Sequence, residues 1–360
     1  MDRIVLFIII TFLYFLFSGQ KRSSKRIKIS FLVSSSIILI LASALRGLSV
    51  GPDTYQYYTI FEIVKDYDFK ELWASVLSDG VITKDPFYWV FQKVFQFFFT
   101  DFNAFLGFVA IVFFTSLGVF LYKSKLTLVE SYISYIFYLG LFYGFYSITG
   151  IRQTLAISFI MFAYLYLIRD KYIPFLLLTG IAYLFHASAF IFLITAILLK
   201  IKTRFILWSI ITLLPLIFYN RYEFFSLLVV QTGFEDRFMQ FMDDSYIGAL
   251  SVFGLYLLVL IGIIIFYKSI TLRPGLANHI KLYAVCVAGL PLMFISGSGM
   301  RATQYFSISM FILVPVIVSS FSSNIKYFLA AVLMFVLIVF AFHDQHYVFY
   351  WQETGLMMSN

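Results

Sequence analysis

The sequence predicts an all-α, polytopic membrane protein with about twelve transmembrane helices in one integral domain, 1–360. Three observations carry that expectation. Of the 360 residues, 62% are hydrophobic and 12% charged, about half the charged share of an ordinary soluble domain. The apolar residues gather in runs of about 16 to 20, long enough to cross hydrocarbon as helices. Between the runs, lysine and arginine collect in every second connection, as they do in cytoplasmic loops. Nothing shows the ten-residue alternation of an outer-membrane barrel.

The expected spans are, in order, 3–18, 29–45, 102–122, 127–146, 152–168, 172–185, 187–199, 205–219, 248–267, 282–296, 302–320 and 326–342. The first is followed by Lys21, Arg22, Lys25, Arg26 and Lys28. A cleavable leader carries its positive charge before the apolar core; here the order is reversed, so the segment is a span with its N-terminus outside. The inner connections then hold Lys123 and Lys125, Arg169 and Lys171, Lys200, Lys202 and Arg204, Lys268, Arg273 and Lys281, and Lys326. By this assignment 16 of the 26 basic residues but 2 of the 18 acidic ones lie inside, and the C-terminus lies outside. The net charge of +8 is thereby a topological signal, and no nucleic-acid partner is needed to explain it. Spans 172–185 and 187–199 are short, so they are either tilted or half-helices meeting at His186.

Two outer segments are long. Residues 46–101 include an apolar, aromatic stretch at 86–99, read as an interfacial helix on the headgroups or as a partial insertion. Residues 220–247, with Glu223, Glu235, Asp236, Arg237, Asp243 and Asp244, form the second outer loop. The tail 343–360, with Tyr347, Phe349, Tyr350 and Trp351, is expected outside and interfacial. A single cysteine, Cys286, excludes a disulfide framework, and four scattered histidines (His186, His279, His343, His346) make no metal cluster. No metal or other cofactor is expected.

The candidate site begins where the second span ends. Residues 45–58 interrupt the apolar pattern with Arg46, Gly47, Gly51, Pro52 and Asp53. Arg152, His186 and Arg301 are the other interruptions, and all four places fall on the outer side. A single arginine at a span end can snorkel to the interface. Three on the side that the positive-inside bias disfavours, each within two residues of a glycine, point to a ligand. Spans five, seven and eleven run inward, so their N-termini, with free N–H groups and partial positive charge, face the same side as Arg152, His186 and Arg301. Arg46, Arg152 and Arg301 are therefore candidates to bind a phosphate or pyrophosphate, whose oxygens the planar guanidinium takes in pairs.

Asp53 and His186 are the acid–base candidates. Asp53, in a Gly-Pro-Asp turn, serves equally as a helix cap. Imidazole changes charge near neutral pH, yet His186 serves equally as a backbone-bonded histidine in a network with Ser188. Tyr57, Tyr58 and Tyr305 are weaker candidates for stacking on sugar faces. No phosphate loop, nucleotide fold or metalloprotease motif appears.

Four patches carry a family resemblance: LRGLSVGPDTYQYYTIFE at 45–62, GIRQTLAISFIMFAYLYL at 150–167, FHASAFIFL at 185–193 and GMRATQYFSISMF at 299–311. In these patches and in topology the chain resembles the EpsG/Wzy-type polysaccharide polymerases. The resemblance implies an architecture like that of the lipid-donor (GT-C-like) glycosyltransferases. It also implies assembly of O-antigen, capsule or exopolysaccharide at the outer face of a bacterial inner membrane. The implied partner is an undecaprenyl-pyrophosphate-linked oligosaccharide within the lipid bilayer, transferred onto another lipid-linked repeat unit, with a chain-length regulator protein alongside. In that scheme Arg46, Arg152 and Arg301 hold the pyrophosphate and Asp53 or His186 takes the acceptor's proton. The competing readings are a flippase for a lipid-linked oligosaccharide, an O-antigen ligase and a surface-sugar acyltransferase.

Overall fold

The computed structural model describes residues 2–20, 24–77, 85–223, 226, 249–295, 297–341 and 347–357, and among these it is helical with no strand. In chain order the helices are α1 (Arg3–Ser18), α2 (Ser24–Ala44), α3 (Thr54–Asp66), α4 (Phe69–Leu77), α5 (Pro86–Gln96), α6 (Phe102–Lys123) and α7 (Leu128–Leu141). A π-helical turn (Gly144–Thr149) leads into α8 (Ile151–Leu167) and α9 (Tyr172–Phe185). A 3-10 segment (Ala187–Ile194) runs into α10 (Thr195–Leu198), then come α11 (Thr203–Tyr219), α12 (Ala249–Ile265), α13 (Tyr267–Leu272) and α14 (Leu276–Gly289). A second 3-10 turn (Leu290–Phe294) precedes α15 (Gly297–Ser307), α16 (Met310–Ser320), α17 (Ser323–Ala341) and α18 (Tyr350–Met357).

Among the described residues four helices are long and apolar enough to cross a membrane: Lys25–Ala44, Phe102–Lys123, Leu276–Phe294 and Thr303–Ser320. Eight further apolar helices of 10–17 residues fall where the other spans are expected. The short pair 172–185 and 187–199 is a helical hairpin with His186 at its tip. Tyr183 meets Phe190 and Phe175 meets Phe192 across it. The 3-10 winding of the return arm rises about 2.0 Å per residue against 1.5 Å in an α-helix, which lengthens a segment otherwise short for a span.

The bundle is apolar both on its surface and in its core, and the core also holds hydroxyl residues. Phe12, Phe15, Ile173, Phe205, Trp208 and Phe335 are exposed, while Ser36, Ser116, Ser131, Ser134 and Ser158 are buried. Ser36 Oγ lies 2.8 Å from the Tyr135 hydroxyl, and Ser134 donates to the Phe311 carbonyl at 2.6 Å. Small hydroxyl residues let helices approach closely and bond across the gap when lipid surrounds them. α8 and α16 are enclosed on nearly all sides. α6 starts under an Asp101 cap onto the Ala104 N–H (2.7 Å), and α7 under a Thr127/Glu130 capping box.

Contacts define two ends. At one, Lys28 donates to the Leu126 carbonyl (2.9 Å), Lys281 to the Leu199 carbonyl (2.6 Å), and Arg273 holds Glu130 with both nitrogens (2.7 and 3.2 Å). At the other, Asn103 donates to the carbonyls of Ala44 and Arg46 at 2.9 and 3.0 Å. There the backbone of 45–50 pairs with the C-terminal segment: Gly47 N donates to Val348 O and Tyr350 N to Leu45 O. Tyr347 N meets Asp2 Oδ1 at 3.2 Å, so residue 2 and the C-terminal segment share this end.

Segment 46–101 forms a helical platform on that end. Beyond the helix expected near 86–99, it contains α3 and α4, and α5 stops at Gln96. Lys93 binds the last carbonyls of α3, at Val64 (3.2 Å) and Lys65 (2.9 Å), and Gln96 binds that of Phe61. Of segment 220–247, the charged residues Glu235, Asp236, Arg237, Asp243 and Asp244 lie outside the described residues, as do His343 and His346.

Candidate functional site

His186 stands between two helices, as the last residue after α9 and the first before the 3-10 segment. Its backbone is extended (φ −153°, ψ 111°); its N–H donates to Ala182 and its carbonyl accepts from Ala189. Both flanking helices therefore fix its position. Arg152 sits in the first turn of α8, behind Gly150 and the π-helical turn. Asp85 immediately precedes Pro86 at the start of α5. Its φ of 50° lies in the left-handed region that disfavours a side chain, and it makes no cap bond to its own helix.

The three residues meet. Arg152 Nη1 donates to Asp85 Oδ2 at 2.9 Å, and His186 Nδ1 lies 3.6 Å from the same oxygen. The Ala187 N–H donates to Asp85 Oδ1 at 3.3 Å, so Asp85 caps the 3-10 segment instead of α5. The Asp85 side chain is 5% exposed. Burial alone pushes its carboxyl up, but His186, the Arg152 charge and the Ala187 N–H outweigh that and hold it below its ordinary range. At 3.6 Å the imidazole is beyond a regular hydrogen bond, and Nδ1 is buried without a partner.

Other groups surround this core. The Arg152 guanidinium lies over the Tyr57 ring, 5.9 Å from its centre. Ser188 Oγ is 3.1 Å from the Tyr305 hydroxyl, which is close enough to feel the charges of both Asp85 and Arg301. Gln153 Nε2 donates to the Arg301 carbonyl at 2.7 Å, which ties α8 to α15 beside both arginines. Arg301 is half-buried, and no ion pair to it comes from the described residues. Phe87 and Phe91 of α5 pack on Phe185, one residue before His186.

Arg152 and His186 are thus brought together; Arg301 is one hydrogen-bond link away. Arg46 is placed differently. It is 2% exposed, and its guanidinium donates to the carbonyls of Ser43 (2.6 Å) and Ile148 (3.1 Å). In this structure its donors hold the end of α2 against the turn before α8. Asp53 is half-buried at the start of α3, and its side chain makes no cap bond. Tyr305 is fully buried, and Tyr58 packs on Phe102.

Two residues escaped the sequence reading. Asp85 followed by proline has the look of an ordinary helix start, and it is 67 positions from Arg152. Glu353 accepts from the Leu48 and Ser49 N–H groups and the Ser49 hydroxyl. Nothing in the sequence points to either partner.

A family model described as the EpsG family matches residues 28–352, nearly the whole chain. Neither a curated protein nor a solved structure matches.

Proposed function

The chain belongs to the EpsG family, a family of Wzy-type polymerases, and from that premise we propose that it polymerises a polysaccharide from undecaprenyl-pyrophosphate-linked repeat units. The single observation that supports this reading best is the meeting of Arg152, His186 and Asp85 at the end of the bundle that also holds the 45–54 turn and Arg301. In this reading the chain crosses a bacterial inner membrane about twelve times, both termini are outside, and the site faces outward. Helix α5 and Phe97–Phe99, which are 58–75% exposed, rest at the headgroup level.

The chemistry is a glycosyl transfer. The acceptor hydroxyl loses its proton to His186, and its oxygen forms a bond to the anomeric carbon of the donor. The bond from that carbon to the pyrophosphate breaks, and undecaprenyl pyrophosphate leaves with the electron pair. Arg152 and Arg301 neutralise the charge that grows on the leaving group; removing one such donor costs about 10²–10³ in turnover. The polyprenyl tail stays in the bilayer and reaches the site between helices. Arg46, bonded to carbonyls, shapes the wall on which Arg152 stands.

The test is the polymer-length ladder of a host lacking the gene, complemented with wild type, Arg152→Ala or Arg152→Lys. Collapse to a single repeat unit in both variants, beyond any fall in protein level in the membrane, is the expected result. Lysine is expected to fail because it cannot present the paired donors of a guanidinium. Lipid-linked units trapped in the cytoplasmic leaflet would instead assign a flippase, and an unchanged ladder with altered acetylation an acyltransferase.

A further inference from the structure

We infer that Asp85 is the positioning residue of this site: its carboxylate orients His186 and seats Arg152 together, so that the proton acceptor and the phosphate-binding group act in one fixed register. This rests on the reading above and gives a role to the one member of the cluster to which that reading assigns no chemical step.

The geometry carries the argument. One carboxylate oxygen faces both Arg152 Nη1 at 2.9 Å and His186 Nδ1 at 3.6 Å. The other is held by the Ala187 N–H at 3.3 Å, so the carboxylate cannot rotate without losing a partner. A ring whose Nδ1 faces a carboxylate keeps its proton there and leaves Nε2 free to accept one. The 3.6 Å separation suits a bond that shortens when substrate closes the site, as apo catalytic contacts often do. The backbone of Asp85 is left-handed, a region that single aspartates enter more readily than most residues with a side chain. Its own helix does not gain, since the carboxylate caps the 3-10 segment instead.

Position is transmitted from the platform. Lys93 and Gln96 fasten α5 to α3, while Phe87 and Phe91 fasten it to Phe185 beside His186. Among the described residues, the charged and titratable groups that face the cluster are Asp85 before α5, Tyr88 in α5, Tyr57 from α3, Arg152 from α8, and Arg301 and Tyr305 from α15. Asp85 is the acidic member of this set.

The experiment uses the purified full-length protein with lipid-linked single repeat units extracted from a host that lacks the gene. Turnover is followed against donor concentration for wild type, Asp85→Asn, Asp85→Glu, His186→Ala and Arg152→Ala. Asp85→Asn is expected to lower kcat at least about 10-fold and to change KM for the lipid-linked donor little. Asp85→Glu, which keeps the charge but shifts it by one methylene, is expected to recover part of the lost kcat. Wild-type kcat in Asp85→Asn would overturn the inference, and so would a rise in KM alone. Should Asp85→Asn not fold, full turnover in Asp85→Glu would overturn it, because position would then not matter. Intact turnover in His186→Ala and Arg152→Ala would sink the underlying functional reading. Loss in those two with wild-type behaviour in both Asp85 variants would sink only the role of Asp85.

Discussion

A carboxylate enclosed by a guanidinium, an imidazole and a backbone N–H is held in its charged form. Asp85 is depressed below its ordinary range in the folded protein, so its contribution to stability is fully present above the pKa of the unfolded chain, about 4. It is lost as pH falls through the lower folded value. Thermal unfolding of solubilised wild type and Asp85→Asn should therefore differ by a constant margin at neutral pH, and the margin should close only below about pH 4. The size of that margin follows from burial, since breaking a buried pair from one side costs about 3–5 kcal/mol. Arg46 and Arg152 separate at the same scale. Arg46 donates to two carbonyls in the interior, and bonds to a charged group are worth about 1.5–3 kcal/mol each. Arg46→Ala should reduce polymer only in proportion to the folded protein lost from the membrane, whereas Arg152→Ala should remove polymer beyond any loss of protein; immunoblots beside ladders read the difference. Glycine spacing singled out Arg152 in the sequence and the turn between two apolar runs singled out His186; the structure places both beside one carboxylate. The same signals also marked Arg46, because a sequence does not say whether a guanidinium faces a cavity or a carbonyl.

Helices join through end-to-side contacts whose strength varies with burial. Glu130, 1% exposed, both caps α7 and holds Arg273 with two bonds. Glu62 pairs with Lys65 one turn away, with both side chains about a third exposed, and such pairs are worth about 0–1 kcal/mol. Glu130→Ala should destabilise the protein by about 1–3 kcal/mol, through the lost cap and the lost bonds to a half-exposed guanidinium, and Glu62→Ala by less than about 1, as unfolding in detergent can compare. Gly51 has φ +93°, and a Cβ there would strike Ile148 in the turn before α8. Gly51→Ala adds a steric clash to a disfavoured backbone and should destabilise by more than about 1 kcal/mol. Glu353 of α18 clasps the N–H groups of the 47–49 turn. Glu353→Ala should expose the C-terminal helix to limited proteolysis while the bundle stays intact. The spans were readable because hydrophobic run length needs no partner. The platform was readable only in part: α3 and α4 are amphipathic and lean on α5, and their apolar faces are too short to stand out.

The molecule has two chemically distinct ends. Lys28, Lys281 and the Glu130–Arg273 pair mark one, and Asp53, Asp85, Asp101 and Glu353 the other. If the first end is cytoplasmic, a membrane-impermeant maleimide applied to spheroplasts should label Gln56→Cys and spare Lys123→Cys, both positions being exposed. The sole native cysteine, Cys286, is buried, so background should be low. Equal labelling of both, or labelling of Lys123→Cys alone, would reverse or break the assigned orientation. Residue 2, the C-terminal segment and the 45–50 turn converge on one end of the molecule.

Composition and run length determined by themselves that this chain is a helical, multi-pass membrane protein and where its apolar helices fall. Each of those properties is summed over a local window, and solvent or lipid reads it without reference to distant residues. Four short patches were enough to indicate the EpsG family. Tertiary structure alone decided that Asp85 joins Arg152 and His186, that Arg46 turns inward to carbonyls, and that Glu353 closes the 47–49 turn. Those pairings join positions 67, 102 and about 300 residues apart, and a carboxylate or guanidinium carries no local mark of which partner the packed helices will bring within 3 Å.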